Sequence, residues 1–226
     1  MGIIMRRLRY SISLMFILLL VFNGCVEKKT NAQSEKTNGK ETPMTDASLE
    51  KVTFGSGCFW CTEAIFERLN GVVKVESGYS GGNVENPTYE EVCSGTSGYA
   101  EVTQITYDPS IITYDELLEV FWKTHDPTTL NRQGNDVGTQ YRSVIFYNND
   151  DEKKLAEKYK AELDKSGVWD DPIVTEISLF TKFYAAEGYH QDYYNNNPNQ
   201  GYCTFVIAPK VEKFEKVFMD KLKKIK

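Results

Sequence analysis

The stretch that decides the fold reads Gly55-Ser56-Gly57-Cys58-Phe59-Trp60-Cys61-Thr62-Glu63. Residues 51–54 before it alternate between polar and apolar side chains, which predicts a short strand. Residues 58–70 are amphipathic and are followed by Gly71, which predicts a helix with a C-terminal glycine. Cys58 is therefore predicted to lie where a strand ends and a helix begins. The free N–H groups and the positive dipole end of a helix favour a thiolate at that point.

The chain beyond this junction predicts further strands and helices. Residues 72–77 form the next predicted strand, so the domain opens with a β-α-β unit. Residues 100–107 predict another strand, residues 185–195 a helix and residues 201–207 a final extended segment. Because the order is not a strict β-α repeat, we predict an α+β fold, a two-layer sandwich with one mixed sheet and helices packed on it. The long polar stretch 125–141 predicts a functional loop.

The first 25 residues have the features of a targeting segment. Three arginines precede an apolar run over residues 11–22, and the run ends at Gly24-Cys25. This pattern resembles a bacterial lipoprotein signal, in which Cys25 would be lipidated and become the new N-terminus. An uncleaved signal anchor is the alternative, and either would place the domain outside the cytoplasm, in the cell envelope or periplasm, and tether it to a membrane. Residues 26–48 are polar and predict a flexible tether, so the folded domain is predicted to span residues 49–226.

Charge and cysteine usage narrow the class of protein. The net charge of −6 argues against a nucleic-acid partner. Five cysteines are present, and with Cys25 assigned to lipid, the other four could form structural disulfides in an oxidising compartment. A domain of this size does not need such cross-links to fold, so redox chemistry is the better use of these thiols. A zinc site that combines these cysteines with a histidine lacks a paired ligand spacing.

Several side chains could act together with Cys58. Cys61 lies on the predicted helix face of Cys58 and could either form a disulfide with it or face the core. Cys203 lies in a turn-rich segment, where it could be exposed and reach a second sulfur, or be a buried strand residue. Glu101 begins a predicted strand; an exposed carboxylate there would be ordinary, whereas a buried one would hold its proton and act as a general acid. Phe59 and Trp60 could be core residues or the wall of an apolar pocket.

Several motifs occur together in one order: Gly57-Cys58-Phe59-Trp60, Gly78-Tyr79-Ser80-Gly81-Gly82, Pro87-Thr88-Tyr89, Ala100-Glu101, Gly134-Asn135-Asp136-Val137-Gly138-Thr139-Gln140-Tyr141-Arg142-Ser143 and Tyr189-His190-Gln191. With these motifs the chain resembles the A-type peptide methionine sulfoxide reductases over about residues 50–210. The resemblance implies the fold of that family, with a ferredoxin-like core. It also implies reduction of methionine (S)-sulfoxide, in oxidised proteins and as the free amino acid, by a monomer with no bound cofactor. Thioredoxin or a thioredoxin-like protein would be the reductant.

The resemblance also assigns roles to individual residues. It implies that Cys58 is the nucleophile and that Phe59 and Trp60 hold the ε-methyl group of the oxidised methionine. The remaining implied site residues are the hydrogen-bond donors to the sulfoxide oxygen (Glu101, Tyr89 and Tyr141), a residue that shapes the site (Asp136), a further active-site position (Tyr193) and the usual resolving cysteine (Cys203). His190 is a weaker match to a family active-site position.

The chain departs from the family pattern at its thiols. Cys61 stands where many members have glycine, so a Cys58–Cys61 disulfide competes with a Cys58–Cys203 disulfide. Only one C-terminal cysteine is present, so a relay would need Cys61 as its second member. Two other functions remain open on the residues alone. One is a thioredoxin-like disulfide oxidoreductase, from the Cys-x-x-Cys spacing at a helix start. The other is a non-enzymatic lipoprotein that binds ligands through exposed tyrosines.

Overall fold

The computed structural model describes residues 49–224, so the predicted signal segment, the predicted lipidation site Cys25 and the predicted tether lie outside the described residues. Its strands are β1 (Glu50–Ser56), β2 (Val72–Ser80), β3 (Ala100–Tyr107), β4 (Arg132–Gln133), β5 (Asp136–Val137), β6 (Ser143–Tyr147), β7 (Glu176–Leu179) and β8 (Phe183–Ala185). Its α-helices are α1 (Phe59–Phe66), α2 (Tyr89–Cys93), α3 (Tyr114–Thr124), α4 (Asp150–Ser166), α5 (Tyr193–Asn196) and α6 (Ala208–Val217). None of the helices within residues 49–224 combines the length and apolar character that crossing a membrane would require.

Six strands form one mixed sheet in the order β7-β6-β1-β3-β2-β8. All neighbours in this sheet are antiparallel except β6 and β7, which are parallel. The predicted α+β class and mixed sheet are therefore confirmed. The β-α-β opening is present in a split form, because β3 lies between β1 and β2. The succession β1-α1-β2-β3-α3-β6 with the spatial order β6-β1-β3-β2 is a ferredoxin-like core.

The main hydrophobic core lies between the sheet and its helices. Phe54 on β1 is fully buried, and its ring centroid is 5.7 Å from that of Phe66 and 5.0 Å from that of Phe121. The same core takes in Ile105 of β3 and Ile145 of β6, which flank Val52 and Phe54 in the sheet register. Alternation along each strand sends the intervening residues to the other face, where a smaller apolar cluster forms. This packing fixes the end of β1, from which the site is built.

Two segments differ from their predicted structure. The helix predicted over residues 185–195 is wrong, because Phe183–Ala185 instead pairs with β2 as strand β8, and only the single turn α5 (Tyr193–Asn196) is α-helical. The extended segment predicted over residues 201–207 is also wrong. Cys203–Ile207 is a π-helical stretch that leads directly into α6. The loop over residues 125–141 contains a small hairpin, in which β4 pairs with β5.

Helix α1 also buries a carboxyl group away from the thiols. Glu63 is 4% exposed, and its Oε2 atom has no hydrogen-bond partner among the described residues. Burial raises the pKa of this carboxyl from 4.5 to about 7. The folded chain therefore binds this proton more tightly than the unfolded chain does. Its contribution to stability is complete below pH 4.5 and is lost as the pH rises through about 7.

We expect Glu63→Gln to remove this pH dependence. Between pH 5 and pH 8 the wild-type free energy of unfolding should fall relative to that of Glu63→Gln by up to about 3 kcal/mol, the value of the pKa shift. Urea unfolding at several pH values measures this difference. Glu90→Gln, at an exposed carboxyl, is the control and should follow the wild type. Parallel curves for wild type and Glu63→Gln would contradict the assignment.

Candidate active site

The turn between β1 and α1 presents Cys58. Gly57 has φ of +92°, a left-handed conformation that favours glycine, and a Cβ atom there would lie 2.6 Å from the side chain of Gln133. Cys58 follows as the N-cap residue of α1 and is 7% exposed. Both thiols of the Cys-x-x-Cys motif therefore lie in the first turn of one helix, as the sequence predicted.

Aromatic rings surround this turn. Phe59 is buried, whereas Trp60 is half-buried and stacks on Tyr193 with ring centroids 3.7 Å apart and planes 8° from parallel. The ring centroid of His190 lies 5.0 Å from that of Phe59, 5.5 Å from that of Trp60 and 4.5 Å from that of Tyr89, so this ring packs among the three. Phe59 belongs to the core, whereas Trp60 and Tyr193 provide an apolar surface that is partly open to solvent.

Glu101 lies at the start of β3, directly beside the first turn of α1. The side chain is 1% exposed, and its Oε2 atom accepts a hydrogen bond of 3.1 Å from the Phe59 N–H. Burial raises the pKa of this carboxyl to about 8, and the nearby charge of Asp136 adds to the shift. The hydrogen bond from the Phe59 N–H lowers the pKa of this carboxyl, but by less than burial raises it. Glu101 therefore holds a proton at neutral pH while it lies next to the nucleophile candidate.

Two tyrosines complete this side of the site. Tyr89, at the start of α2, and Tyr141, at the end of the 3₁₀ turn Thr139–Tyr141, both pack against the apolar cluster around Cys58. Burial raises the pKa of each hydroxyl, and the charge of Glu101 also contributes. Both hydroxyls therefore stay protonated and can donate hydrogen bonds to an oxygen atom held between them and Glu101.

The two thiols of α1 differ in their electrostatics. Burial raises the pKa of the Cys58 thiol well above its ordinary value, and Cys61 and Glu101 add to the shift. The hydrogen-bonding contact with Cys58 lowers the pKa of Cys61 to about 7, and the ammonium group of Lys210 also contributes. Of the two thiols, Cys61 is therefore the one whose surroundings favour the thiolate.

The surroundings of the two sulfurs bear on the predicted position of the thiolate. The sequence placed it on Cys58 because a helix N-terminus stabilises an anion. In the structure, the first N–H of α1 belongs to Phe59 and donates to Glu101, and the Cys58 side chain makes no capping hydrogen bond. The first N–H of the helix is therefore engaged by Glu101 and not by the Cys58 sulfur.

Cys203 lies outside the first turn of α1, which contains the thiols of Cys58 and Cys61. It is completely buried at the start of the π-helical stretch Cys203–Ile207, and burial raises its pKa. The predicted possibility of an exposed thiol in a turn is therefore wrong. The four cysteines 58, 61, 93 and 203 are all free thiols. Cys93 ends α2 and is half-buried.

Two residues near the thiols were missing from the predicted site. Tyr202 donates a hydrogen bond of 2.6 Å to Asp136, and its hydroxyl oxygen lies 3.9 Å from the Cys61 sulfur. Asp136 on β5 thus orients this hydroxyl towards the second thiol. Lys210 on α6 approaches the same sulfur to 3.8 Å. Tyr202 adjoins Cys203 in the sequence and could have been suspected, whereas nothing in the sequence distinguishes Lys210 from the other lysines of α6.

Among residues 49–224, no three or more side chains of the types His, Cys, Asp and Glu are grouped so as to hold a metal ion. What these residues do assemble is a thiol at the N-cap position of α1, a buried protonated carboxyl, a second thiol with a lowered pKa and an apolar aromatic surface. These are the parts of a thiol-dependent oxidoreductase. The model of the family described as peptide methionine sulfoxide reductase matches residues 50–222. The chain belongs to this family.

Relatives that align with most of this chain support its assignment to the family. A peptide methionine sulfoxide reductase MsrA of Saccharolobus solfataricus is 56% identical over 175 residues, which cover 77% of this chain and 98% of the relative. One from Sulfolobus acidocaldarius is 57% identical over 177 residues, 76% of this chain and 97% of the relative. The crystal structure of Mxr1 from Saccharomyces cerevisiae in its reduced form superposes with a TM-score of 0.64 at 38% identity, covering 73% of this chain and 94% of that one.

Proposed function

We propose that this chain reduces the S-sulfoxide of methionine, in oxidised proteins and as the free amino acid, with Cys58 as the attacking thiol. The observation that carries the proposal is the position of Glu101, a buried and protonated carboxyl bonded to the N–H of the residue that follows Cys58. A sulfoxide sulfur becomes electrophilic when its oxygen is protonated or strongly hydrogen-bonded. Such an acid beside a thiol therefore fits this reaction better than simple disulfide exchange.

The first step reduces the sulfoxide. The side chain of the oxidised methionine lies with its methyl group against Trp60, and its oxygen accepts hydrogen bonds from Glu101, Tyr89 and Tyr141. Cys58 gives up its thiol proton as its sulfur attacks the sulfoxide sulfur, and Glu101 gives a proton to the sulfoxide oxygen. Two electrons pass from Cys58 to that sulfur, and the oxygen ends on Cys58. The products are methionine and a sulfenic acid on Cys58.

The second step regenerates the thiols. A second cysteine of the chain condenses with the sulfenic acid, which forms a disulfide and releases water. We propose that a thioredoxin-like dithiol outside the chain then reduces this disulfide by exchange and becomes oxidised itself.

A stereochemical assay tests this function. The full chain, with dithiothreitol as reductant, should convert the S diastereomer of N-acetylmethionine sulfoxide to the sulfide and leave the R diastereomer unchanged. Turnover of neither diastereomer would contradict the proposal. Reduction of insulin disulfides without sulfoxide turnover would instead favour the thioredoxin-like alternative.

We also propose that the enzyme is exported and held at the membrane of the cell envelope by lipid on Cys25. The arginines ahead of the apolar run over residues 11–22 and the Gly24-Cys25 pair at its end support this. The full chain expressed in a bacterium with radiolabelled palmitate should carry label in the membrane fraction, and Cys25→Ser should not. Unlabelled wild-type protein in the membrane fraction would indicate a signal anchor, and wild-type protein in the cytoplasm would contradict export.

A further inference from the structure

An ammonium group lies beside the second thiol of α1. The Nζ atom of Lys210 is 3.8 Å from the Cys61 sulfur, within the range of a hydrogen bond to sulfur. Lys210 is half-buried, and within residues 49–224 no carboxylate oxygen lies within 4 Å of its ammonium group. Cys61 is only 3% exposed. A cation of this kind, without a carboxylate partner, is available to stabilise a buried thiolate.

The other ionisable groups around Cys61 act in both directions. They are the thiols of Cys58 and Cys203, the hydroxyl of Tyr202, and the carboxyl groups of Asp136 and Glu101. Glu101 is protonated at neutral pH, and Asp136 is engaged by the Tyr202 hydroxyl. Lys210 is the cation among the charged groups that act on Cys61. The stabilisation of a thiolate at Cys61 by charge therefore depends on this side chain.

The two thiols that could attack the sulfenic acid, Cys61 and Cys203, lie in different elements of the fold. Cys58 is the N-cap of α1 and Cys61 the third residue of the helix, so both sulfurs lie in one turn. Cys203 lies in a different element, is completely buried and begins a stretch of helical backbone. A disulfide from Cys58 to Cys61 joins two sulfurs that already interact, whereas one to Cys203 would recruit a buried thiol that no cation stabilises in the described chain.

We infer that Lys210 is a positioning residue that holds Cys61 as the thiolate which attacks the sulfenic acid on Cys58. The inference rests on the proposed function, since it needs that sulfenic acid. In this step the Cys61 sulfur attacks the Cys58 sulfur, an S–S bond forms and the S–O bond of the sulfenic acid breaks. The oxygen leaves as hydroxide and takes a proton from solvent to become water. Cys203 takes no part in this first disulfide.

A single-turnover experiment tests the assignment. The full chain receives one equivalent of methionine S-sulfoxide without reductant, sulfenic acid is trapped with dimedone at timed intervals, and the disulfide is mapped by mass spectrometry. The wild type should give a Cys58–Cys61 disulfide. In Lys210→Met, disulfide formation at pH 7 should slow about fivefold relative to methionine formation, the loss of thiolate when a pKa of about 7 rises by about one unit. Lys213→Met, on the exposed side of α6, is the matched control and should behave as the wild type.

A spectroscopic titration separates charge stabilisation from a merely structural role. The thiolate absorbance near 240 nm, taken as the difference between a chain and its Cys61→Ser variant, should rise at about one pH unit higher in Lys210→Met than in the wild type. Lys210→Arg should restore most of the wild-type midpoint, because it keeps the positive charge. An unchanged midpoint in Lys210→Met would overturn the inference.

Failure of the proposed function and failure of this inference give different experimental results. If the wild type forms no methionine in the single turnover, the proposed function fails. If methionine forms but the first disulfide joins Cys58 to Cys203, or if Lys210→Met forms the Cys58–Cys61 disulfide at the wild-type rate, this inference fails and the function stands.

Discussion

Replacement of Cys58 by serine should reduce methionine formation to the background rate without loss of the fold. A serine hydroxyl has no accessible anion near neutral pH, and its oxygen cannot take a second oxygen atom from the sulfoxide. The side chain is nearly isosteric with cysteine at an N-cap position, where serine is itself a preferred residue, so the start of α1 should be preserved. Turnover of N-acetylmethionine S-sulfoxide with dithiothreitol measures the effect.

Cys93→Ser is the matched control for this variant. Cys93 is a half-buried thiol at the end of α2, outside the proposed machinery, and serine keeps a hydrogen-bonding group beside Tyr89. It should retain most of the wild-type rate. Circular dichroism and the thermal midpoint establish that both variants are folded. Sulfoxide reduction by a folded Cys58→Ser chain would remove Cys58 from the mechanism.

Glu101→Gln should lower kcat by about 10²–10⁴, the usual contribution of a positioned general acid. The amide keeps the size of the side chain and can still accept the hydrogen bond from the Phe59 N–H. It cannot release a proton, so the developing charge on the sulfoxide oxygen meets only hydrogen bonds. Because the loss is in the chemical step, KM should change little.

The pH dependence of activity is a second and independent test of the role of Glu101. Its pKa of about 8 means that wild-type activity should fall as the pH rises above this value and the acid loses its proton. The residual activity of Glu101→Gln should lack that decline. Glu90→Gln, at an exposed carboxyl on α2, should keep both the rate and the profile of the wild type. A wild-type rate in Glu101→Gln would contradict the role of the acid.

The sequence predicted the strand–helix junction that presents Cys58 because its signals are local. Alternation along β1, the glycines of the turn and the apolar spacing of α1 all lie within one short stretch. The position of β3 between β1 and β2 was not predictable in this way, since strand pairing depends on contacts between distant segments. It is this pairing that brings Glu101 to the Phe59 N–H.

The C-terminal part of the site shows where local signals fail. The residues Cys203-Thr204-Phe205-Val206-Ile207 are rich in β-branched and aromatic side chains, which predicts an extended segment. In the structure, Cys203 and Ile207 are completely buried, and the stretch is helical because it continues into α6. Tertiary packing therefore overrides local propensity here. The approach of Lys210 to Cys61 depends on the same packing.

The insertion of β3 between β1 and β2 also bears on when the enzyme becomes active. Residues 50–80 contain β1, α1 and β2, yet the sheet between those two strands stays open until β3 has been synthesised and has paired with both. Until then Cys58 lacks the acid on β3. Pairing between distant segments is slow compared with the formation of a helix. Recovery of sulfoxide turnover during refolding therefore reports completion of the sheet, and it should lag behind the recovery of helical signal.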